Sequence, residues 1–298
     1  MGVPDLLEET LGCVAHGCIF LRFRTRRFRR RAAGIARAQI ACTLRAAGLR
    51  RSFARVRGGG RGLASWPKRE GRIAPMELMH TAHVPAGTGP FPTILALHGF
   101  GASAHDLLGI APLVSQVVPG DEVMFLCPQG PIVLEPQPGQ RAYAWFPLTG
   151  GGEIDPTALV GARGVLEGFV EDALERYPID PSRFVVMGFS QGGVMAYDLA
   201  LGRPERFSAL IALSTWLPNL ILHGLQDDEA RAELPTLLIH GTEDPMVAID
   251  NGRESLEKLK NLGIEAAWGE YPMGHEINQH ALRDLLQWLA NGPFAPKI

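Results

Sequence analysis

One short motif constrains this chain more than any other feature. The sequence GFSQGG at residues 188–193 follows an apolar run, residues 184–187, and precedes a helical pattern. A serine between glycines at such a strand-to-helix junction predicts a sharp turn that pushes the Ser190 hydroxyl out of the backbone. The backbone amide of Gln191 would then face negative charge that develops beside the serine. The motif predicts a nucleophilic serine, provided that the rest of the chain supplies a matching context.

Segments with strand and helix patterns alternate from residue 76 onward. The predicted strands cover residues 78–84, 93–97, 122–126, 183–187, 207–213, 236–240 and 264–270. Apolar residues three or four positions apart predict helices over 166–177 and near 282–289. Prolines at positions 128, 131, 136 and 138 predict a surface loop after the third strand. This alternation predicts an α/β fold in which helices cover both faces of a mostly parallel central sheet.

The charge distribution divides the chain near residue 75. Residues 1–75 hold 16 Arg and one Lys against four acidic residues, a net charge of +13. Subtracting this from the formal −2 of the whole chain leaves −15 for residues 76–298. We therefore expect an Arg-rich, disordered extension over 1–75 and a single catalytic domain over 76–298. The acidic domain is not expected to bind nucleic acid.

Three interpretations of residues 1–75 stay open. The first is a start assigned too far upstream, so that Met76 begins the domain. The second is an organelle presequence or another disordered arm. The third interpretation is an arm that binds anionic lipid or nucleic acid. No apolar stretch reaches 18 residues, so no transmembrane segment is expected. We expect a cytoplasmic protein, or an organelle-targeted one if the extension is a presequence.

Cysteine and histidine spacing predicts neither disulfides nor a metal site in the domain. Three of the four cysteines lie in the extension, and Cys127 ends an apolar run, which is typical of a small buried side chain. Neither an H-E-x-x-H pattern nor a paired C-x-x-C pattern occurs. We therefore expect no metal and no cofactor.

An acid and a base follow the serine in the chain order that is typical of serine nucleophiles on this kind of fold. Asp244 lies 54 residues after Ser190, on the loop after the predicted strand 236–240. His275 follows the last predicted strand, 31 residues after Asp244, where the last helix opens. A serine needs a base to accept its proton and an acid to orient that base. The order serine, acid, histidine therefore predicts a Ser190, Asp244, His275 triad.

Each of these residues has a competing interpretation. Asp244 precedes a proline and could be an ordinary turn residue, and Glu243 is the rival acid. His275 could be a plain N-terminal helix residue, whereas His280 is a rival base that would fall inside the last helix. His240 is expected to shape its own turn.

Oxyanion donors are expected from two loops. The sequence LHGFG at residues 97–101 follows the predicted strand 93–97, where folds of this kind place a backbone donor. The Phe100 amide, between two glycines, is the candidate partner of the Gln191 amide.

Substrate contacts are predicted from aromatic and apolar residues near these loops. Trp145, Phe146, Trp216 and Leu217 could line an acyl groove, although core packing is the commoner place for such residues. About twenty residues separate the predicted strands 207–213 and 236–240, which is too few for a large lid. We expect an open site for small or soluble esters that disfavours strongly anionic substrates.

The motifs together make the chain from residue 76 onward resemble the phospholipase/carboxylesterase family, which includes the acyl-protein thioesterases. The matching stretches are residues 97–101, 188–193, 213–218, 240–247 and 274–275. The resemblance implies an α/β-hydrolase fold and a cofactor-free serine esterase that acts on small carboxylic esters or acyl thioesters. It also implies that Ser190, Asp244 and His275 form the triad and that Phe100 and Gln191 donate to the oxyanion.

Other functions and the assembly state stay open. Within enzymes, the alternative is a dienelactone-hydrolase-like or peptidase activity, the first of which usually has cysteine where this chain has Ser190. Outside enzymes, the alternative is a non-catalytic α/β-hydrolase binding module. A monomer and a homodimer are both compatible with the sequence.

Overall fold

A computed structural model describes residues 78–118, 122–148 and 153–295. The predicted Arg-rich extension, residues 1–75, lies outside the described residues. Within them, no helix is both long and apolar enough to cross a bilayer.

The described chain contains nine strands. They are β1 (His80–His83), β2 (Phe91–Leu97), β3 (Met124–Pro128), β4 (Ile132–Gln137), β5 (Gln140–Ala144), β6 (Ile179–Phe189), β7 (Ala209–Leu213), β8 (Thr236–Gly241) and β9 (Ala267–Tyr271). Seven of these form one sheet in the order β1-β3-β2-β6-β7-β8-β9, and β4 pairs with β5 in a separate hairpin. Only β1 is antiparallel to its neighbour in the large sheet.

Six α-helices connect or cover these strands. They are α1 (Ala111–Val117), α2 (Pro156–Arg176), α3 (Gln191–Gly202), α4 (Asn219–Gly224), α5 (Ile249–Asn261) and α6 (Gln279–Asn291). Two buried apolar clusters lie on opposite faces of the sheet, one holding residues of α2 and α3 and the other residues of α1 and α6. The segment between β7 and β8 contains only the six-residue α4 and a 3-10 turn.

The α/β fold predicted from the sequence is confirmed, and all seven predicted strands occur in the large sheet. β3 and β7 are entirely buried, as expected for parallel strands covered by helices on both faces. The carboxyl ends of β2, β6, β7 and β8 meet at one edge of the sheet. The loops that follow these strands are therefore brought together.

The prediction of an irregular loop at the prolines was wrong. Residues 132–144 form the β4–β5 hairpin, with Gly139 at positive φ in the turn. Proline lacks the amide that a sheet ladder needs, but the pairing register is irregular between Leu134 and Gln137, where Pro136 lies. The irregularity lets the hairpin tolerate this proline.

A buried ion pair joins α2 to α3. Arg163 on α2 donates from Nε to Asp198 Oδ2 at 2.6 Å and from Nη2 to Oδ1, and the Asp198 side chain is 1% exposed. Burial raises the pKa of Asp198 despite the opposing effect of the arginine. The guanidinium of Arg163 therefore offsets part of the cost of burying this carboxylate on α3, the helix that begins after Ser190.

We predict that Arg163→Ala lowers the free energy of unfolding by about 3 kcal/mol, because it leaves a buried carboxylate without a partner. The matched control is Arg206→Ala, which removes an ion pair to the half-exposed Glu171 and should cost less than about 1 kcal/mol. Urea denaturation of both variants tests the difference. Equal losses in the two variants would contradict it.

Candidate active site

Ser190 occupies a strained junction between a strand and a helix. β6 ends at Phe189 and α3 begins at Gln191, so Ser190 alone forms the turn, with φ of 53° and ψ of −120°. A non-glycine residue at positive φ typically costs about 1–3 kcal/mol and persists only where the surroundings enforce it.

The glycines around Ser190 are required by backbone contacts. A Cβ on Gly188 would lie 2.1 Å from the carbonyl oxygen of Gly192, and a Cβ on Gly192 would lie 2.1 Å from that of Leu97. No side chain fits at either position. The motif thus lets α3 pack directly against the ends of β6 and β2.

Two hydrogen bonds from neighbouring segments hold the turn. The Ser190 amide donates to the carbonyl of Leu213, at the end of β7, at 2.9 Å. The Thr215 hydroxyl donates to the Ser190 carbonyl at 2.6 Å. These contacts fix the backbone of Ser190 from the side of β7.

The acid and the base meet at the same edge of the sheet. Asp244, 8% exposed on the loop after β8, accepts at Oδ2 from His275 Nδ1 at 2.7 Å. Its Oδ1 accepts from the amides of Met246 at 2.8 Å and Val247 at 2.9 Å. Burial alone would raise the pKa of Asp244, but these three hydrogen bonds outweigh it and lower the pKa below its ordinary value. The carboxylate is therefore held ionised and aimed at His275.

The imidazole of His275 lies beside the serine turn. Its ring packs on Phe189, the residue before Ser190, with a centroid distance of 4.8 Å. Because Nδ1 donates to Asp244, Nε2 carries the lone pair in the neutral ring. Within the described residues no hydrogen bond joins His275 to the Ser190 hydroxyl, and catalytic hydrogen bonds often close only when substrate binds.

The structure separates these residues from the rivals considered in the sequence. Glu243 is exposed, and His280 is exposed on α6. His240 is buried and donates from Nε2 to the Val247 carbonyl at 2.9 Å, so it holds the loop that carries Asp244. The prediction that His275 opens the last helix was wrong, because α6 begins at Gln279 and His275 lies on the preceding loop.

The two candidate oxyanion donors lie on adjacent segments, one on the loop after β2 and the other at the start of α3. Phe100 follows β2 and Gln191 begins α3, and Leu97 pairs with Gly188 across β2 and β6. A Cβ on Gly99 would lie 3.4 Å from that of Ser190, which places the loop against the serine. The Gln191 amide has no acceptor within α3 because it belongs to the first turn.

Most of the predicted substrate contacts are buried instead. Trp145 is 1% exposed, Phe146 0% and Leu217 1%, and all three belong to the core against which α2 and α3 pack. This burial contradicts their assignment to substrate contact, because it leaves almost no surface for a ligand to touch. Trp216 is half-buried and packs against the same core.

The sequence interpretation missed a buried polar network beside the serine. The Gln191 carboxamide accepts from the Trp145 amide at 2.9 Å and donates to the Phe146 carbonyl at 2.7 Å. The Trp145 indole N–H donates to the His98 carbonyl at 2.8 Å. The sequence signal for this network is Gln191 itself, a glutamine at the junction of two apolar elements, β6 and α3. A carboxamide buried there requires hydrogen-bond partners.

His98 has a fixed tautomer. Its Nε2 accepts from the Gly130 amide at 2.9 Å, so Nδ1 carries the hydrogen and donates to the Gly99 carbonyl at 2.7 Å. Burial lowers the pKa of His98, against smaller raising effects of the Gly99 carbonyl and the Asp106 carboxylate. His98 is thus held neutral beside the candidate oxyanion loop.

A metal centre has no support in the part of the chain that the structure describes. No group of three or more His, Cys, Asp or Glu side chains there is arranged to hold a metal ion.

Comparisons with known proteins agree on a family. A sequence profile described as Phospholipase/Carboxylesterase matches residues 81–291. Acyl-protein thioesterase 1 of Gibberella zeae is 30% identical over 231 residues, covering 74% of this chain and 95% of that protein. A probable carboxylesterase SOBER1-like of Arabidopsis thaliana is 29% identical over 208 residues, covering 66% of this chain and 77% of that protein.

Solved structures of esterases share the fold of this chain. Esterase PE8 superimposes with a TM-score of 0.61 at 29% identity, covering 72% of this chain and 98% of that one. The Bacillus cereus carboxylesterase shares the fold, with a TM-score of 0.60 at 20% identity over 73% of this chain and 95% of that one.

We predict that the free energy of unfolding decreases as the pH is lowered, partly because of His98. Because burial lowers the pKa of His98 in the folded protein, the unfolded chain binds this proton more tightly. The stabilising effect of its neutral form is therefore present above the ordinary histidine pKa of 6.5 and is lost as the pH falls below it. Urea midpoints of His98→Gln should change less between pH 7.5 and 5.5 than those of the wild type.

The control for this measurement is His105→Gln, which alters an exposed histidine. His80, whose pKa burial also lowers, contributes to the wild-type slope in the same direction. An unchanged slope in His98→Gln would show that His98 does not titrate as inferred.

Proposed function

Because the chain belongs to the phospholipase/carboxylesterase family and is a serine-type carboxylic ester hydrolase, we propose that Ser190, His275 and Asp244 form its catalytic triad. The enzyme would cleave esters through an acyl-enzyme intermediate. The observation that carries this proposal is the 2.7 Å hydrogen bond from His275 to the buried Asp244, beside the strained turn at Ser190.

Acylation begins with proton transfer from the serine. His275 Nε2 takes the proton of Ser190 as Oγ bonds to the carbonyl carbon of the ester. Asp244 holds the imidazole in the tautomer with hydrogen on Nδ1 and stabilises the imidazolium that forms. The lowered pKa of Asp244 keeps its negative charge available for this step.

The tetrahedral intermediate carries its charge on the former carbonyl oxygen. The amides of Phe100 and Gln191 would donate to this oxygen, each contributing about 3 kcal/mol of transition-state stabilisation. As the intermediate collapses, the alcohol or thiol leaves with the proton from His275. Water then attacks the acyl-enzyme and gives a proton to His275, and His275 returns this proton to Ser190 Oγ as the carboxylic acid is released.

The surroundings of the site favour small esters with apolar acyl groups. Two exposed apolar side chains lie on the loops that carry the machinery, Phe100 at 41% exposure and Met246 at 74%. The short segment between β7 and β8 offers little chain to cover them. The similarity to acyl-protein thioesterase 1 of Gibberella zeae extends the proposal to acyl thioesters.

We predict that Ser190→Ala reduces kcat for p-nitrophenyl butyrate by roughly 10⁴-fold or more, because it removes the nucleophile. The variant should also fail to react with a fluorophosphonate probe that labels the wild type. Ser208→Ala is the control: Ser208 directly precedes the amino end of β7, away from the carboxyl ends that carry the site, and the variant should behave like the wild type. Labelling of folded Ser190→Ala at wild-type rate would refute the assignment.

We predict that Asp244→Asn lowers kcat by roughly 10³–10⁴-fold, because the amide cannot hold His275 in the required tautomer. Glu243→Gln removes the neighbouring, exposed acid and should leave kcat within about twofold of the wild type. Steady-state kinetics of the two variants decides between the acids. The reverse result would assign the role to Glu243.

A further inference from the structure

We propose that the segment formed by β5 and the two residues after it positions both oxyanion donors, with the Trp145 indole as its central contact. This segment, residues 140–146, is called the strap below. The inference rests on the proposed function, since it concerns the donors assigned there. It makes Trp145 a positioning residue.

The strap holds the Phe100 loop on both sides of Phe100. After Phe100 in the chain, the Gly101 amide donates to the Tyr143 carbonyl at 2.9 Å, and the Tyr143 amide donates to the Ala102 carbonyl at 2.9 Å. Before Phe100, the His98 carbonyl accepts from the Trp145 indole at 2.8 Å. The Phe100 amide itself donates to no other group in the described chain. The loop is thus fixed while its central donor stays available.

The same strap holds the helix that carries the other donor. The Gln191 carboxamide, in a residue that is 1% exposed, spans the backbone of Trp145 and Phe146. It accepts from one residue and donates to the next, so both of its polar ends are satisfied by the strap. The side chain therefore fixes where the backbone amide of Gln191 points.

The buried His98 side chain supports the contact between Trp145 and the Phe100 loop. Its ring stacks on the Trp145 indole with a centroid distance of 5.1 Å, and its Nε2 accepts from the Gly130 amide. A Cβ on Gly130 would lie 2.5 Å from the Ala144 carbonyl oxygen, so the turn after β3 lies directly against the backbone of the strap. Buried hydrogen bonds of this kind contribute about 1 kcal/mol each and leave costly unpaired groups when broken.

The burial of Trp145 and Phe146 predicts which kinetic constant the strap controls. Trp145 is 1% exposed and Phe146 0%, so neither has surface with which to contribute binding energy to the substrate directly. Displaced donors weaken an interaction that is strongest in the transition state. Loosening the strap should therefore lower kcat and leave KM nearly unchanged.

The test variant is Trp145→Phe, which keeps an aromatic ring against His98 but removes the indole N–H and leaves the His98 carbonyl unpaired. Since loss of a whole donor lowers kcat by about 10²–10³-fold, displaced donors should lower it by roughly 10–100-fold. KM for p-nitrophenyl butyrate should stay within about twofold. Affinity for butylboronic acid, whose serine adduct places an oxygen where the oxyanion forms, should fall by the same factor as kcat.

The matched control is Trp268→Phe, which also removes an indole hydrogen bond. Trp268 donates to Glu270 at 3.0 Å on β9, at the opposite edge of the sheet from β1 and outside the strap. Its kcat and boronate affinity should match the wild type. All rates are measured well below the thermal midpoint of each variant, so that a loss of folded protein does not imitate a loss of kcat.

Gln191→Met breaks the contact between the strap and α3 independently, because it preserves side-chain volume and removes both carboxamide hydrogen bonds to the strap. It should show the same loss in kcat and boronate affinity, and it decides the question if Trp145→Phe does not fold. Unchanged kcat in a folded strap variant would overturn the inference, as would a rise in KM with constant kcat. An inactive wild type, or an active Ser190→Ala, would instead refute the proposed function.

Discussion

The site depends on three backbone segments that touch without intervening side chains. Gly188 and Gly192 let the first turn of α3 lie against the ends of β6 and β2, and this contact forces Ser190 into its strained conformation. The strain of about 1–3 kcal/mol is tolerable because β6 is paired on both sides within a buried parallel sheet. The rigid centre of the sheet thus determines where the hydroxyl lies.

Much of the fold could be predicted because its signals are local. Strand patterns, several of them continuous apolar runs, identified every strand of the large sheet, and helical spacing located α2 and α6. The strand ends were predicted less accurately: β6 begins at Ile179, four residues before the predicted start, because the sequence DPSR at residues 180–183 resembles a turn. The β4–β5 hairpin was missed because its prolines predicted a loop, although its pairing is local. Its bridge to Ala102 joins segments about 40 residues apart, which no local pattern reveals.

The candidate site shows the same division. Ser190, Asp244 and His275 could be proposed because each follows a recognisable strand, and parallel strands bring their carboxyl ends together. Trp145, Phe146 and Leu217 were misplaced because aromatic and apolar character alone does not separate a groove from a core. Gln191 was proposed only for its backbone amide, since the partners of its side chain lie some 45 residues earlier in the chain.

The β4–β5 hairpin lies outside the large sheet, and only the end of β5 reaches the loops at Ser190. Its tip around Gly139 is exposed and has open space around it. Insertions or substitutions at the tip can accordingly reshape the molecular surface without disturbing the donors that the other end secures. The tip can therefore vary in length and sequence while Tyr143 keeps its two backbone hydrogen bonds to the Phe100 loop.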